Sequence, residues 1–336
     1  MAFLILFAAS VFAVSWTPQQ SNTTASLRGL QAVSARVAWA SGTNGTFLLT
    51  TDGGAHWRAA VVPGAESLDF RTVVAFDATT AYLASSGEGS LSRIYKTNDG
   101  GAHWQLVFTN PDRTGFFDAL AFWNHGRGIV LGDPVNGRFA VFTTGDGGNS
   151  WQRQNTPAAL RDEGAFAASG TCLTVHGSRS VWFGTGGTGA ARVFRSRDGG
   201  LSWQISETPI RNDSKSAGIF SLAFRDDLHG EAVGGDYQKP SEAVRNSAIT
   251  DDGGKNWAGP PRSALKGYRS AVTFIPGLKN TLIAVGTSGS DVSRDGGQSW
   301  DSFSSMSFNS VSAAPDGTIW AVGPHGAIGK LTISSH

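Results

Sequence analysis

The chain has 336 residues, of which 44 are glycine and 11 are tryptophan, while only 16% are charged and the formal net charge is +1. This balance excludes the strongly basic surface on which nucleic-acid binding depends, and the single cysteine, Cys172, excludes an internal disulfide. Many glycines and aromatic residues with few charges predict short strands, frequent turns and a sizeable aromatic core.

The first 15 residues are almost wholly apolar and end in a stretch rich in small residues. Such a segment is too short to span a bilayer and is typical of a secretory signal, although no Lys or Arg precedes the apolar run. Small residues at Ala8 and Ser10, or at Ala13 and Ser15, provide two alternative cleavage sites. We therefore expect residues 1–15 to be removed, a periplasmic or secreted mature protein, and no stable membrane insertion.

The motif Asp-Gly-Gly-x-x-Trp occurs six times. Its aspartates are Asp52, Asp99, Asp146, Asp198, Asp252 and Asp295. They are separated by 47, 47, 52, 54 and 43 residues. This near-regular period is typical of propellers and solenoids. Two glycines allow the positive φ angles of a tight turn, and an Asp side chain accepts hydrogen bonds from nearby backbone amides. We interpret the six aspartates as structural turn residues.

Each unit contains an apolar strand, a second apolar strand ending in glycine, a third strand, the Asp-Gly-Gly turn and a fourth strand led by Trp. Four strands per 43 to 54 residues correspond to one propeller blade. The seventh unit lacks its fourth strand, whereas Ser15-Trp16 repeats the opening of that strand at the other end of the chain. The sequence predicts an all-β fold, a single seven-bladed propeller over residues 16–336 whose last blade is completed by residues 16–20.

The repeated motif resembles the Asp-box (BNR) repeat of the sialidase superfamily. With one such hairpin in each blade, the chain is similar to the photosystem II stability/assembly factor-like propellers. The resemblance covers nearly the whole chain and implies a propeller that binds or assembles other proteins, while the superfamily also includes glycosidases.

Loops that follow second strands and loops that enter first strands share one face of a propeller, opposite the Asp-Gly-Gly turns, because the strands alternate in direction. These loops contain polar and aromatic residues that we expect around the mouth of the central channel, as a ligand or partner site. An alternative is that they are ordinary solvated loop residues or partners in hydrogen bonds between blades. The candidates are Asp118, Asp133, Arg161, Asp236, Tyr237, Tyr268, Arg269, Asp291 and His325.

The first functional hypothesis is an exported, non-enzymatic binding or assembly-factor-like propeller that holds a protein partner or a polar or carbohydrate ligand on this face. We expect it to be a monomer. No metal-binding His-Glu-x-x-His, paired cysteines or phosphate-binding loop is present, so neither a metal nor a cofactor is expected, and no catalytic residue is assigned. This hypothesis predicts that replacing Tyr268 and Arg269 together abolishes partner binding and leaves the melting temperature nearly unchanged.

The alternative is a glycoside hydrolase or another carbohydrate-active enzyme, as the sialidase resemblance allows. Such enzymes need two suitably separated carboxylates, or a Tyr nucleophile with an acidic partner. Tyr237, Tyr268 and Asp133 are candidates for these roles. Only Arg161 and Arg269 fall on the candidate face, however, so the arginine cluster of a sialidase is not assembled from these loops.

Overall fold

A computed structural model describes residues 12–334, which form seven antiparallel sheets and only two short 3-10 segments, Gly89–Leu91 and Pro324–Gly326. The prediction of an all-β, seven-bladed propeller is confirmed. Most of the apolar segment expected to be a secretory signal lies outside the described residues. We call the sheets blades one to seven in chain order.

In chain order, the strands are β1 (Ala13–Gln19), β2 (Leu27–Ala32), β3 (Ala38–Gly42), β4 (Thr46–Thr50), β5 (Arg58–Val61), β6 (Phe70–Ala75), β7 (Ala81–Ser85), β8 (Arg93–Thr97), β9 (Gln105–Thr109), β10 (Phe117–Phe122), β11 (Gly128–Val135), β12 (Arg138–Thr144), β13 (Gln152–Arg153), β14 (Glu163–Gly164), β15 (Leu173–His176), β16 (Ser180–Gly184), β17 (Gly186–Gly187), β18 (Arg192–Ser196), β19 (Gln204–Glu207), β20 (Ala217–Phe224), β21 (Gly230–Asp236), β22 (Ser247–Thr250), β23 (Ala271–Phe274), β24 (Leu282–Gly286), β25 (Gly289–Ser293), β26 (Asp301–Ser304), β27 (Ser310–Ala313), β28 (Ile319–Val322) and β29 (Ile328–Ser334). Blades one, two, three and six are β2–β5, β6–β9, β10–β13 and β23–β26. Blade four is β15-β16-β18-β19, and blade seven is β27-β28-β29 with β1 on its outer edge.

The ring closes as the repeat predicts, because the N-terminal strand β1 pairs with the C-terminal strand β29. Trp16 lies opposite Leu331 in this pairing, and Gln19 lies opposite Ile328. The strand starts at Ala13, three residues before the boundary expected from the sequence. Closure pairs the edge that the three-stranded seventh unit would otherwise expose.

The six Asp-Gly-Gly turns share one hydrogen-bonding pattern, in which the Asp carboxylate accepts a bond from the amide four residues later. In the third turn, Asp146 accepts a bond of 2.9 Å from the Ser150 amide, and the Thr144 hydroxyl donates to Asp146 at 2.8 Å. Both glycines have positive φ, 70° at Gly147 and 83° at Gly148. Side-chain and backbone hydrogen bonds from Ser150 lower the pKa of Asp146 to about 2. The carboxylates thus stabilise their own turns.

Adjacent blades are joined by large side chains of the second strands, which reach the Asp-Gly-Gly turn of the following blade. The Tyr82 hydroxyl donates to the carbonyl oxygen of Gly147 at 2.7 Å, and the Trp182 indole donates to that of Gly253 at 2.9 Å. In blade five, the corresponding register position is held by Glu231, which is fully buried against Gly297, and neither of its carboxyl oxygens has a hydrogen-bond partner within the described part of the chain.

Blade five departs from the repeat. Its strands are β20, β21 and β22, and its fourth strand is reduced to a single bridge between Ile249 and Ala258. On its inner side, β20 extends the sheet through the two short strands β17 and β14. The segment around β14 belongs to the long connection between blades three and four, which contributes to the site described next.

Candidate functional site

The site begins with an irregularity repeated in the first strands of four blades. In β2, β6, β10 and β20, the pairing with the second strand skips one residue at the channel mouth, which forms a β-bulge. The skipped residues are Arg28, Arg71, Asp118 and Phe220. A bulge changes the direction in which one side chain points, and bulges are common beside functional sites. All four skipped residues line the same cavity.

This cavity has a volume of about 440 Å³. Its walls are formed by the starts of first strands, the ends of second strands and the connections between blades, so it opens on the face opposite the Asp-Gly-Gly turns. Four of the nine residues predicted from the sequence line it, namely Asp118, Asp133, Tyr237 and Tyr268. The loop face therefore contains a cavity of the size that small ligands occupy.

Residues 165–170, which we call the strap, precede blade four and contact residues of several other blades at the channel mouth. Arg28 Nη1 donates to the carbonyl oxygen of Ala168 at 3.3 Å, and Arg71 Nη1 donates to that of Ala167 at 3.2 Å. The Ser169 hydroxyl donates to the backbone oxygen of Ser270 in the connection entering blade six, at 2.8 Å. The strap is thus fixed by two arginines that also line the cavity.

Two carboxyl groups lie on adjacent strands of blade three. Asp118 is 1% exposed and its Oδ2 has no hydrogen-bond partner among the described residues, while Asp133 Oδ1 accepts a bond of 3.0 Å from the Ala165 amide of the strap. Burial raises the pKa of Asp133 to about 6. Burial and then the charge of Asp133 raise the pKa of Asp118 well above its ordinary value, against the opposing effect of Arg71. Both buried carboxyl groups therefore hold a proton to higher pH than an exposed aspartate does.

The two arginines differ in their partners. Arg71 Nε donates to Asp69 Oδ2 at 2.7 Å, which forms a half-buried ion pair. Arg28 has no carboxylate within ion-pair distance among the described residues, and burial, followed by the charge of Arg71, lowers its pKa. A cation that is partly desolvated without a counterion favours binding of an anionic group.

An aromatic wall completes the cavity. The rings of Phe166 and Phe220 stack with centroids 3.9 Å apart, and the Tyr268 ring meets Phe220 edge-on at 4.8 Å. Tyr237 lies at the rim, half exposed, with its ring 6.1 Å from Phe220. Burial raises the pKa of Tyr268, so its hydroxyl remains neutral. This wall provides an apolar surface beside the four charged groups.

Three of the predicted residues are held in buried ionic contacts away from the cavity. Asp236 accepts hydrogen bonds from the Ser214 hydroxyl and the Gln238 amide, and lies 4.0 Å from Arg211. Arg269 and Asp291 pair with each other below the surface of the loop face. The structure gives these three side chains partners of their own and does not bring them together with Asp133.

The last two predicted residues are exposed on loops of the same face. The Arg161 side chain is 96% exposed beside Asp162, and His325 lies in the loop between β28 and β29 with φ of 54°. Neither residue lines the cavity.

Sequence reasoning missed Arg28, Arg71, Phe166 and Phe220. A signal for the arginines was present, because a charged residue follows a large apolar residue at the start of three consecutive first strands, in Leu27-Arg28, Phe70-Arg71 and Phe117-Asp118. The two arginines that line the cavity therefore lie on strands, whereas the two that the sequence placed on this face, Arg161 and Arg269, lie on loops. Phe166 belongs to the strap, and no local pattern marks it.

A larger cavity, of about 600 Å³, lies within the channel nearer the Asp-Gly-Gly face. It is lined mainly by apolar and Thr side chains of the first strands, such as Leu173, Leu222 and Val311. The smaller cavity is the better candidate, because it combines an aromatic wall with buried charged groups.

Two further properties concern residues 12–334 only. No group of three or more His, Cys, Asp or Glu side chains within them is arranged to hold a metal ion. In the same part of the chain, no helix is long and apolar enough to cross a bilayer.

No family model matches the chain, and no curated protein matches it. Among solved structures, YCF48 bound to a D1 peptide is similar at 17% identity and a TM-score of 0.64, covering 94% of this chain and 96% of that one. A GH74 xyloglucanase from Xanthomonas campestris has 16% identity and a TM-score of 0.65 over 94% of this chain and 53% of its own. A streptogramin B lyase has 12% identity and a TM-score of 0.66, covering 96% and 98% of the two chains. At these identities, the likeness is one of fold.

Proposed function

We propose that the protein is a monomeric, non-enzymatic binding propeller of the Asp-box, photosystem II assembly factor-like type, which holds a polar ligand or a segment of a partner protein in its loop-face cavity. One observation carries this proposal. Four residues that lie at β-bulges of the first strands all line one cavity: Arg28, Arg71, Asp118 and Phe220. Four separate blades present a side chain at the same place, and packing within the blades does not require this arrangement.

The comparisons support a binding role at the level of the fold. YCF48 is a propeller similar to this chain, and its structure is described as bound to a D1 peptide. A rigid ring with a central depression can hold an extended peptide or a small molecule without a conformational change. The partner of this chain is proposed from the chemistry of its own cavity, which combines positive charge, buried acid and aromatic surface.

We propose further that the protein is exported and that its signal segment is cleaved near Ala8 and Ser10. Cleavage after Ser15 would remove Ala13, Val14 and Ser15 from β1, which closes the ring. Cleavage near Ser10 leaves that strand whole. Sequencing the amino terminus of protein recovered from the envelope or the medium tests both points, and an intact Met1 in the cytosol would contradict them.

Photo-crosslinking from the cavity rim tests the binding function. A photoreactive amino acid is placed at Tyr237 on the rim, and the matched control carries it at Leu201, which is exposed in the fourth Asp-Gly-Gly turn on the opposite face. We expect specific adducts, identified by mass spectrometry, from position 237 only. These adducts should disappear when Arg28→Gln and Arg71→Gln are added. Adducts of equal yield at both positions, or adducts indifferent to the arginines, would contradict the proposal.

Glycoside hydrolysis is a second candidate function, and one observation favours it. Asp118 and Asp133 line the same cavity, and the pKa of each is raised, that of Asp133 to about 6. Glycosidases use an acid with a raised pKa together with a second carboxylate. The two groups lie side by side on adjacent strands and do not face each other from opposite walls, so we rank binding first. Reducing ends released from xyloglucan or other glycans, and lost in Asp133→Asn, would reverse this ranking.

A further inference from the structure

The cavity contains unsatisfied groups of both charge signs. Among the acids, Asp118 Oδ2 is buried and has no hydrogen-bond partner within residues 12–334, and the carboxyl group of Asp133 lines the same cavity. Among the arginines, Arg28 has no carboxylate partner among the described residues. A buried polar group without a partner is costly, so such groups in a cavity indicate the polar groups of its occupant.

We propose that the cavity binds a small zwitterion with an aromatic body, such as an aromatic α-amino acid. Its ammonium group would be bound by Asp118 and Asp133, and its carboxylate by Arg28 and Arg71. This inference rests on the proposed binding function and names the chemical class of the ligand.

A ligand that carries only a positive or only a negative charge does not suit this cavity. A simple cation would pair with Asp133 but would approach two arginines, and a simple anion would pair with Arg28 but would approach the carboxyl groups of Asp133 and Asp118. Arg71 and Asp118 occupy the same bulge position in the first strands of neighbouring blades, and the charge of Arg71 acts on that carboxyl group. The positive and negative ends of the cavity are therefore close together, as are the two charged groups of an α-amino acid.

The aromatic wall indicates the body of the ligand. Phe166 and Phe220 already stack on each other, and Tyr268 packs edge-on against Phe220. An added ring can continue this arrangement in offset or edge-to-face geometry, which favours it over an aliphatic chain of similar size. A cavity of about 440 Å³ accommodates one such residue with water and excludes a folded peptide.

The proposal also predicts that binding releases a proton. The titratable groups whose charges interact with Asp118 are Asp133 on the adjacent strand, Arg71 of blade two and the buried thiol of Cys172 in the connection entering blade four. Burial and Asp133 raise the pKa of Asp118, so the free protein favours the protonated form of this acid more than water does. An incoming ammonium group favours its ionised form. Affinity should therefore increase as the pH rises, until the amine of the ligand itself loses its proton.

Calorimetric titration of the purified full-length protein with three matched probes tests this inference. L-phenylalanine has both charges, phenethylamine lacks the carboxylate, and 3-phenylpropionate lacks the ammonium group. We expect phenylalanine to bind at least tenfold more tightly than either of the others, with proton release that is measured by repeating the titration in buffers of different ionisation enthalpy.

Two variants separate binding from structural effects. Asp118→Asn should reduce phenylalanine binding tenfold or more, should abolish proton release, and should leave the binding of 3-phenylpropionate unchanged or stronger. A variant that merely disturbed the cavity would weaken both ligands. Arg161→Ala, which removes a fully exposed arginine of the same face, is the control and should have no effect on either.

Other results would overturn the inference. If 3-phenylpropionate binds as tightly as phenylalanine, or if Asp118→Asn has no effect, the zwitterion is the wrong class, although the cavity still binds a ligand. If none of the probes binds while cross-linking from position 237 succeeds, this inference is wrong and the proposed function stands. If both experiments fail, both proposals are wrong.

Discussion

Arg269 and Asp291 form an ion pair that is buried within the loop face of blade six. Arg269 Nε donates to Asp291 Oδ2 at 2.9 Å, and the Lys266 amide donates to the same oxygen. The guanidinium also donates to the backbone oxygen of Tyr268 and to the Ser288 hydroxyl. The pair therefore ties the loop that enters β23 to the middle of β25.

Replacing Arg269 should destabilise the protein, contrary to the expectation from the sequence that it contributes to binding alone. Arg269→Ala leaves Asp291 buried without its counterion, which costs about 3–5 kcal/mol in comparable pairs. Urea unfolding measures the loss. Arg161→Ala is the matched control, since that side chain is fully exposed. Equal stability of the two variants would contradict a structural role for the pair.

Replacing Glu231 should change how stability depends on pH. Burial, and then the charge of Asp295, raise the pKa of Glu231 well above its ordinary value of 4.5. The native state therefore retains a proton that the unfolded state loses as the pH rises above about 4.5. Because of this residue, the free energy of unfolding falls with increasing pH, by up to about 1.4 kcal/mol per pH unit.

Glu231→Gln keeps the shape of the side chain and removes its titration. We expect the variant to be more stable than the parent at pH 7 and about equally stable at pH 4, as measured by urea unfolding across this range. The amide can also donate to the following turn, as Trp182 does in blade four. A difference between variant and parent that does not depend on pH would show that Glu231 does not titrate in this range.

Replacing an aspartate of the repeated turns should have the opposite pH dependence. The pKa of Asp146 is lowered to about 2, mainly by the Ser150 side-chain hydrogen bond. The ionised carboxylate therefore contributes its full stabilisation above pH 3.8, the pKa in the unfolded state, and this stabilisation is lost as the pH falls towards 2. Asp146→Ala should lower the melting temperature by about 1–3 °C at pH 7 and by less at pH 2. The control is Asp251→Ala, which removes an exposed aspartate outside this hydrogen-bonding pattern. Indistinguishable variants would mean that the carboxylate does not stabilise its turn.

Replacing Trp16 should weaken the closure of the ring. Its indole donates to the Ser290 hydroxyl of blade six at 3.0 Å, and its ring packs 5.2 Å from that of Phe308. Trp16→Ala should cost about 3–5 kcal/mol, as for other buried large-to-small replacements. Trp16→Phe keeps much of the ring packing and should cost less. If both variants unfold at the same denaturant concentration as the parent, the N-terminal strand does not hold the ring closed.

The sequence by itself determined the number of blades, the position of the turns and the closure of the ring. These features depend on local chemistry that recurs along the chain. Two glycines and an Asp specify each turn, and Trp16 repeats the start of a fourth strand. The sequence also identified the loop face, and four of its candidates line the cavity there.

Only the tertiary structure decided which polar residues meet. The contact of Arg71 with Ala167 joins residues 96 apart, and that of Arg28 with Ala168 joins residues 140 apart. The bulges that direct Arg28, Arg71 and Asp118 into the cavity arise from the pairing of neighbouring strands, because a strand pattern read alone does not reveal a skipped residue. For the same reason, Arg269 and Asp291 looked like loop residues in the sequence but form a buried pair once the blades pack together.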